Sequence, residues 1–230
     1  MALTPMTPSM SGADRARVAA AVAKAETGTS GEIVPILAVR SDPYADVALA
    51  WSALVALAAL LVLAWAPDFY LGLYDRITGD WVQHWAPGRL FGAAAFVATL
   101  TFGATWALLL WRPLRLALIP APIRHARVHA RALAAFRMGA ERRTTGRTGI
   151  LIYLSLAEHR AEILADATIA AKVPAEVWGD ALAAMLAELK DGRMADGLVA
   201  AVERVGAVLA QHLPRGGNDI NELPDRLIEV

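Results

Sequence analysis

The chain has 230 residues, of which 57% are hydrophobic, and its mean hydropathy is +0.42. It contains no cysteine, which excludes a disulfide framework and any metal site or catalysis built on thiolates. The formal net charge is zero, yet residues 112–147 hold nine arginines and one acid, and residues 148–230 hold 13 acids and seven bases. Because the basic block begins where an apolar run ends, it indicates contact with anionic lipid head groups rather than with nucleic acid.

The amino-terminal segment is predicted to form a helix followed by a strand. The first eleven residues lack the basic and apolar regions of a cleavable secretion signal. Ser11 is expected to cap the helix with Asp14 as its partner, and Gly28 to end it. Residues 32–39 are apolar and β-branched, which predicts a strand. Pro35 within this strand indicates either an edge strand or a position whose N–H is unpaired.

Two apolar runs without charge, residues 47–66 and 90–111, interrupt the chain. At a rise of about 1.5 Å per residue, each run can cross the roughly 30 Å hydrocarbon core of a bilayer. We therefore expect a transmembrane helical hairpin. Gly103 and Ala107 have the spacing that lets helices approach closely, either within the hairpin or in a homo-oligomer. Since no ionisable residue lies in mid-span, neither a proton relay nor an ion site is predicted there.

The arginines that follow the second run set the expected orientation. Five of them lie within about 20 residues of its end, whereas the connection of residues 67–89 holds two arginines and three aspartates. The positive-inside rule then places both termini in the cytoplasm, in a multi-pass protein of the inner (cytoplasmic) membrane. An aromatic belt is expected from the tryptophans near the span ends and in the connection, which are Trp51, Trp65, Trp81, Trp85, Trp106 and Trp111.

The second half of the chain alternates helical and strand patterns. Residues 123–138 predict an amphipathic helix near the membrane surface, with Ile123, Val128, Leu133 and Phe136 opposite its arginines. Gly139 is expected to end it. The later predicted elements are strands over 150–156 and 160–168 joined by a tight turn at 157–159, and helices over 174–190 and 195–212.

These patterns predict the α/β class, with a small sheet of three or four strands packed by helices and interrupted by a two-helix transmembrane hairpin. Residues 1–46 supply the first helix and strand, and residues 47–111 supply the hairpin. Residues 112–213 supply the basic helix and the remainder of the α/β domain, and residues 214–230 form a polar tail.

The stretch GILIYLSLAEHR at residues 149–160 resembles the TPM domain family, specifically its bacterial integral-membrane branch. The resemblance covers about residues 10–40 and 125–230. It implies a small α/β sandwich and a membrane location. Family members are described as acid phosphatases or as auxiliary factors in the assembly or repair of membrane complexes. The further matching positions are Phe136, Gly139, Thr145, Asp166, Ile169, Val173, Trp178, Gly192, Gly197, Gly206, residues 212–214 and residues 221–225.

Three acids, Glu32, Glu158 and Asp166, lie on predicted strands or at their ends. If they converge at one edge of the sheet, their oxygens suit Mg²⁺ or Ca²⁺. The phosphatase activity implied by the resemblance would use Asp166 and Glu158 as catalytic residues, with Arg147 steering the phosphate. Solvated turn residues are the alternative for Glu32 and Glu158. The acids of the tail are predicted to be either further ligands or solvated residues, and they are Asp219, Glu222 and Asp225.

Two other patterns have competing interpretations. His125 and His129 lie four residues apart on one helix face, which is metal-ligand spacing, but the surrounding arginines favour histidines at an interface. Residues 144–149 combine hydroxyls, glycines and Arg147, which predicts either a turn or an anion site shared with Arg142 and Arg143. The segment lacks the lysine of a phosphate-binding loop and precedes a strand rather than a helix.

The leading functional expectation is a non-enzymatic assembly, quality-control or modulatory factor for membrane proteins, with a cytoplasmic TPM-like domain. Its partners are then the lipid bilayer and other membrane proteins, with no nucleic acid. The alternatives are a divalent-metal-dependent hydrolase similar to the acid phosphatases and a surface module that binds anionic lipid through the basic helix.

Overall fold

The computed structural model describes residues 10–79, 86–139, 148–216 and 226–230. The chain divides into two compact units. Met1–Asp42 and Ala121–Val230 form the first, which we call the α/β unit, and Pro43–Pro120 forms the second, the helical unit. In chain order the elements are α1 (Gly12–Glu26), β1 (Glu32–Ala38), α2 (Ala45–Trp65), α3 (Pro67–Thr78), α4 (Pro87–Leu109), α5 (Arg112–Ala117), α6 (Ala121–Gly139), β2 (Gly149–Ser155), β3 (Arg160–Ala165), α7 (Ala167–Ala170), a short 3-10 helix (Ala175–Val177), α8 (Trp178–Lys190), α9 (Met194–His212) and β4 (Ile228–Glu229).

The strands of the described residues form one sheet in the order β3-β2-β1-β4, so the predicted α/β class is confirmed. β1 runs parallel to β2 and β4, and β2 pairs with β3 in the antiparallel direction. Helices cover both faces. On one face, Ile150 and Ile152 pack with Val22 of α1, Met185 of α8 and Val202 of α9.

The other face of the sheet carries α6. Val128, Ala132 and Phe136, spaced by four residues, pack against Leu151 and Tyr153 of β2. The predicted helix is therefore present, but its buried stripe differs from the predicted one. Ile123 remains 38% exposed, and Ala132 is fully buried instead. The small side chain of Ala132 lets the helix lie close to the sheet.

Pro35 lies inside β1, which is an interior strand rather than an edge strand. The even-numbered residues of β1 bond toward β2, as Glu32 N does to Thr148 O at 3.0 Å. The odd-numbered ones face the other side, where Val39 N bonds to Val230 O at 2.9 Å and Ile33 N to Glu26 Oε1 at 2.7 Å. Pro35 faces this second side. β4 pairs only with residues 36 and 37, so the position opposite Pro35 lies before β4 begins. The second sequence alternative, an unpaired N–H position, is thus the one that the structure adopts.

The first helix begins as predicted. The Ser11 hydroxyl oxygen accepts a bond from Asp14 N at 3.1 Å and donates to Asp14 Oδ2 at 2.7 Å, which satisfies two groups of the first turn.

Two predicted boundaries are wrong. The strand expected over 160–168 ends at Ala165, because Asp166 begins a helical turn. The tail is not wholly polar surface, because β4 adds to the sheet and Leu227 is buried in the core.

In the helical unit, α2 and α4 pack against each other. Both are long and apolar enough to cross a membrane by length and composition, with mean hydropathies of 2.6 and 1.6. Large apolar side chains remain exposed along both, such as Leu61 at 62% and Phe96 at 67%. A small core of Tyr44, Val47 and Ile119 lies at the end where α2 begins. The sequence did not predict α3 and α5. Trp81 and Trp85 lie outside the described residues.

Candidate functional site

Two acids that were predicted to share a site, Glu32 and Asp166, lie at the same end of the sheet. Glu32 pairs with Gly149, and Asp166 N bonds to Gly149 O at 2.9 Å. Side chains alternate along a strand, so Glu32 shares its face with Val34 and Ile36. Asp166 lies two residues after Leu164 and four after Glu162, so it continues their face of β3. Glu32, Gly149 and Asp166 therefore form one row on the face that α6 covers.

Both carboxylates of this row are buried, with 6% exposure for Glu32 and 5% for Asp166. Asp166 Oδ1 accepts a bond from Ala167 N at 2.6 Å and so caps α7. Asp166 Oδ2 is also buried and has no hydrogen-bond partner among the described residues. Gly149 places no side chain between the two acids, whose Cα atoms are about 10 Å apart across two strand spacings. Carboxylate oxygens are the ligands that a hard cation prefers, and this row brings together two of the three predicted acids.

Glu158 lies at the opposite end of the sheet and does not join this row. It belongs to the turn after β2, and β2 covers roughly 20 Å between Gly149 and Ser155 at about 3.3 Å per residue. The expected convergence of all three acids does not occur, because the antiparallel pairing of β2 and β3 sends their turn away from Asp166. In the described part of the chain, no group of three or more acidic, histidine or cysteine side chains could hold a metal ion.

Glu158 instead joins the turn to the end of β1 through a buried network. Ser41 N donates to both carboxylate oxygens, at 3.1 and 3.2 Å. The Ser155 hydroxyl donates to Glu158 Oε2 and lies 2.8 Å from the Ser41 hydroxyl. Tyr153 completes the network, with its hydroxyl 3.1 Å from Ser41 Oγ. We call these four residues the hydroxyl–carboxylate network.

Three of its members are buried, since Tyr153 and Ser155 are fully buried and Glu158 is 2% exposed, whereas Ser41 is partly buried. Burial raises the pKa of the Tyr153 phenol above its ordinary value. The hydrogen bond with Ser41 and the charge of Arg131 oppose this rise, whereas the charge of Glu158 adds to it. Tyr153 therefore acts as a neutral hydrogen-bonding group at physiological pH.

The two histidines of α6 have separate partners on β3. His129 Nδ1 lies 2.8 Å from Glu162 Oε2, and Arg160 Nη1 donates to His125 Nδ1 at 3.3 Å. Arg127 pairs with Asp42 at 3.4 Å. These contacts attach α6 to the sheet and to the end of β1. Each histidine thus has a different side-chain partner, and the alternatives of a metal site and an interface for the pair stay predictions.

Sequence reasoning missed Ser41, Tyr153 and Ser155. Their positions at the ends of β1 and β2 could have indicated them, because polar residues that follow parallel strands gather at the carboxyl edge of a sheet. Arg147, the predicted phosphate-steering residue, lies outside the described residues. So do Arg142, Arg143, Asp219, Glu222 and Asp225.

Comparison with known proteins agrees with this fold. A profile of the TPM domain matches residues 125–208, which run from α6 into α9. The solution structure of BA42 protein from the psychrophilic bacterium Bizionia argentinensis is similar, with a TM-score of 0.56 and 18% sequence identity. The match covers 96% of this chain and 95% of that one. No curated protein sequence matches the chain. The likeness to BA42 concerns the fold, and the TPM domain match covers the segment that supplies β2, β3 and most of the helices of the α/β unit.

Proposed function

We propose that the chain is an integral protein of the inner membrane, in which a TPM-like domain acts by binding other membrane proteins and not by catalysis. The observation that carries the proposal is the exposed apolar surface of α2 and α4. Within their most apolar windows, only 17% and 6% of the residues are buried. Side chains such as Leu57, 55% exposed, and Leu100, 57% exposed, favour lipid as their surroundings.

The proposal of binding rather than catalysis rests on the structural role of Glu158, a buried acid of the α/β unit. Both oxygens of Glu158 accept bonds from Ser41 N, and the remaining network partners are hydroxyls. This carboxylate therefore stabilises the end of β1. The resemblance to the integral-membrane branch of the TPM family supports the combination of an anchor with an accessory role.

The orientation follows from the arginines after α4. The positive-inside rule places the α/β unit in the cytoplasm, and the connection between α2 and α4 outside. Proteolysis of inverted membrane vesicles tests this directly. We expect tags at both termini to be cleaved and a tag in the connection to be protected.

Chemical cross-linking in native membranes, followed by purification and mass spectrometry, tests the binding role. The full chain is compared with a control that holds Pro43–Pro120 alone, which recovers chance neighbours in the bilayer. We expect specific membrane proteins with the full chain only. Identical profiles for the two chains would contradict the proposal.

A second candidate, a divalent-metal-dependent phosphatase, is favoured by the buried, unpartnered Asp166 Oδ2 in the row with Glu32. Mg²⁺, Ca²⁺ and Mn²⁺ are tested by thermal shift of the detergent-solubilised protein. Asp166→Asn keeps the oxygen that caps α7 but removes the charge. Asp180→Asn, at an exposed position in the first turn of α8, is the matched control. Stabilisation by metal that Asp166→Asn alone abolishes would favour this candidate and justify assays with phosphate esters.

The structure gives less support to the third candidate, a module that binds anionic lipid. Arg127 of the basic helix is paired with Asp42. Salt-dependent flotation with anionic but not neutral vesicles would support it.

A further inference from the structure

The helix α3 presents a row of large apolar side chains to its surroundings. Phe69 is 66% exposed, Leu73 44% and Ile77 76%. Their spacing of four residues puts them on adjacent turns of one helix face. A contiguous exposed apolar face of this kind marks an interaction surface.

The other sides of α3 carry acidic and tyrosine side chains. Asp68 and Asp75 are seven residues apart and share another face, displaced from the row by about 100° or more. Tyr70 and Tyr74 lie on a third side and line an apolar pocket together with residues of α2 and α4. With 12 residues α3 is about 18 Å long, too short to cross a bilayer. The length and the amphipathicity of α3 are those of a helix that lies along a membrane interface.

The position of α3 indicates what covers its exposed row. One residue, Ala66, separates it from the end of α2 at Trp65, which is 89% exposed. The pocket that holds Tyr70 and Tyr74 is lined by Ala64 near the end of α2 and by Phe91 near the start of α4. α3 therefore lies at the end of the hairpin where α2 and α4 are connected. This is the depth at which a spanning helix leaves the hydrocarbon core.

We propose that α3 is an interfacial helix that lies in the head-group region of the bilayer, with Phe69, Leu73 and Ile77 inserted among the upper acyl chains. The inference rests on the proposed membrane anchor and extends it to a third lipid contact. Lipid is favoured over a second copy of the chain because the exposed apolar surface continues from α2 onto α3. The aromatic residues at this end are also the types that are enriched at membrane interfaces.

The test uses the absence of cysteine from the sequence, so that single cysteines can be labelled without background. Full-length Ile77→Cys and Phe69→Cys variants carry an environment-sensitive fluorophore and are reconstituted into vesicles of phosphatidylcholine and phosphatidylglycerol. Asp68→Cys is the matched control, at an exposed position on the acidic face of α3. Leu57→Cys, in the middle of α2, reports insertion of the hairpin itself. Quenchers are aqueous iodide and lipids that carry nitroxides at shallow or deep positions.

We expect labels at positions 77 and 69 to be quenched several-fold more by the shallow nitroxide than the label at position 68, and the label at 68 to be quenched mainly by iodide. Equal iodide quenching of the labels at 77, 69 and 68, with deep-nitroxide quenching of the label at 57, would overturn the interfacial helix and leave the anchor intact. Protection of the labels at 77 and 69 from every quencher would show that the row contacts protein. This result would also overturn the interfacial helix. Failure of the deep nitroxide to quench the label at 57 would instead contradict the proposed anchor.

Discussion

Glu158 is the residue whose burial and bonding most constrain its chemistry. Its carboxylate accepts bonds from Ser41 N and from the Ser155 hydroxyl while only 2% exposed. The Ser41 N–H can only donate, and it meets both carboxylate oxygens, so each of the two positions has to be an acceptor. A neutral amide offers one oxygen and turns the other position into a donor, which then faces the Ser41 N–H.

Accordingly, Glu158→Gln should lower the free energy of unfolding by about 1–3 kcal/mol, the range for a buried polar group whose partner is lost. The measurement is denaturant unfolding of the detergent-solubilised protein. Glu203→Gln is the control, because Glu203 is 56% exposed and lies 3.8 Å from Lys24, so little change is expected there. Equal stability of the two variants would show that the network does not hold the end of β1.

Tyr153 should make the protein sensitive to alkali. Its phenol has a pKa raised above the ordinary value, chiefly by burial. Above about pH 10 the unfolded chain loses this proton while the folded chain retains it. Stability is thus fully present below the unfolded pKa and is lost as the pH rises through the folded pKa.

This prediction is checked by measuring unfolding free energy against pH for the wild type and for Tyr153→Phe. The variant loses the hydrogen bond with Ser41 and should start from a lower stability. Its decline above pH 10 should nevertheless be shallower. Parallel curves would mean that Tyr153 titrates alike in the folded and unfolded states.

At the scale of elements, the contact between α1 and α9 depends on a glycine. A Cβ built at Gly206 would lie 2.6 Å from Ala25 Cβ and 3.3 Å from Ala25 Cα. The atoms that it meets belong to a short side chain and to backbone, so neither can move aside without moving α1. Gly206 thus sets the distance between the two helices.

We therefore expect Gly206→Ala to destabilise the protein by about 1–3 kcal/mol through overpacking, despite the better helix propensity of alanine. Gly179→Ala is the matched control in α8, where an added Cβ meets nothing within 4 Å. That variant should be as stable as the wild type or more stable by up to about 1 kcal/mol. If thermal unfolding shifts the same way in both variants, helix packing is not the cause.

The predicted elements show where sequence reasoning works and where it stops. Hydrophobic periodicity and helix end signals are local features of the sequence. They predicted α1, β2, β3, α6, α8 and α9. β4 has two residues and no periodicity of its own, so it became visible only through its pairing with Ile36 and Leu37. The extended interpretation of residues 166–168 failed because Asp166 caps a helical turn, which competes with the strand.

The site was less predictable than the fold because it depends on pairing. The predicted β2–β3 hairpin already separates Glu158, in its turn, from Asp166, at its far end. The row of Glu32, Gly149 and Asp166 also needs the parallel register of β1 on β2, across more than 100 residues of sequence. Nothing local in either strand specifies that register.

At the scale of the whole molecule, the two hydrophobic clusters of the α/β unit draw only on residues of that unit. The third cluster, around Tyr44 and Ile119, belongs to the helical unit. Since β1 precedes the helical unit and β2 follows it, the sheet closes across an insertion of 78 residues, Pro43–Pro120. The α/β unit should therefore fold without the insertion if its two ends can be joined.

The ends lie close enough for a short linker. Arg127 pairs with Asp42 at 3.4 Å, and α6 begins six residues before Arg127, about 9 Å along the helix. Eight glycine and serine residues, with a root-mean-square span of about 15 Å, should connect Asp42 to Ala121. We expect the resulting chain to be soluble without detergent and to unfold cooperatively, because both cores are retained. The same chain with Val202→Asp, a charge placed in the fully buried core, is the control and should not fold. Aggregation of the linked chain, or unfolding without a transition, would mean that the sheet depends on the helical unit, and that unit would then be part of the fold.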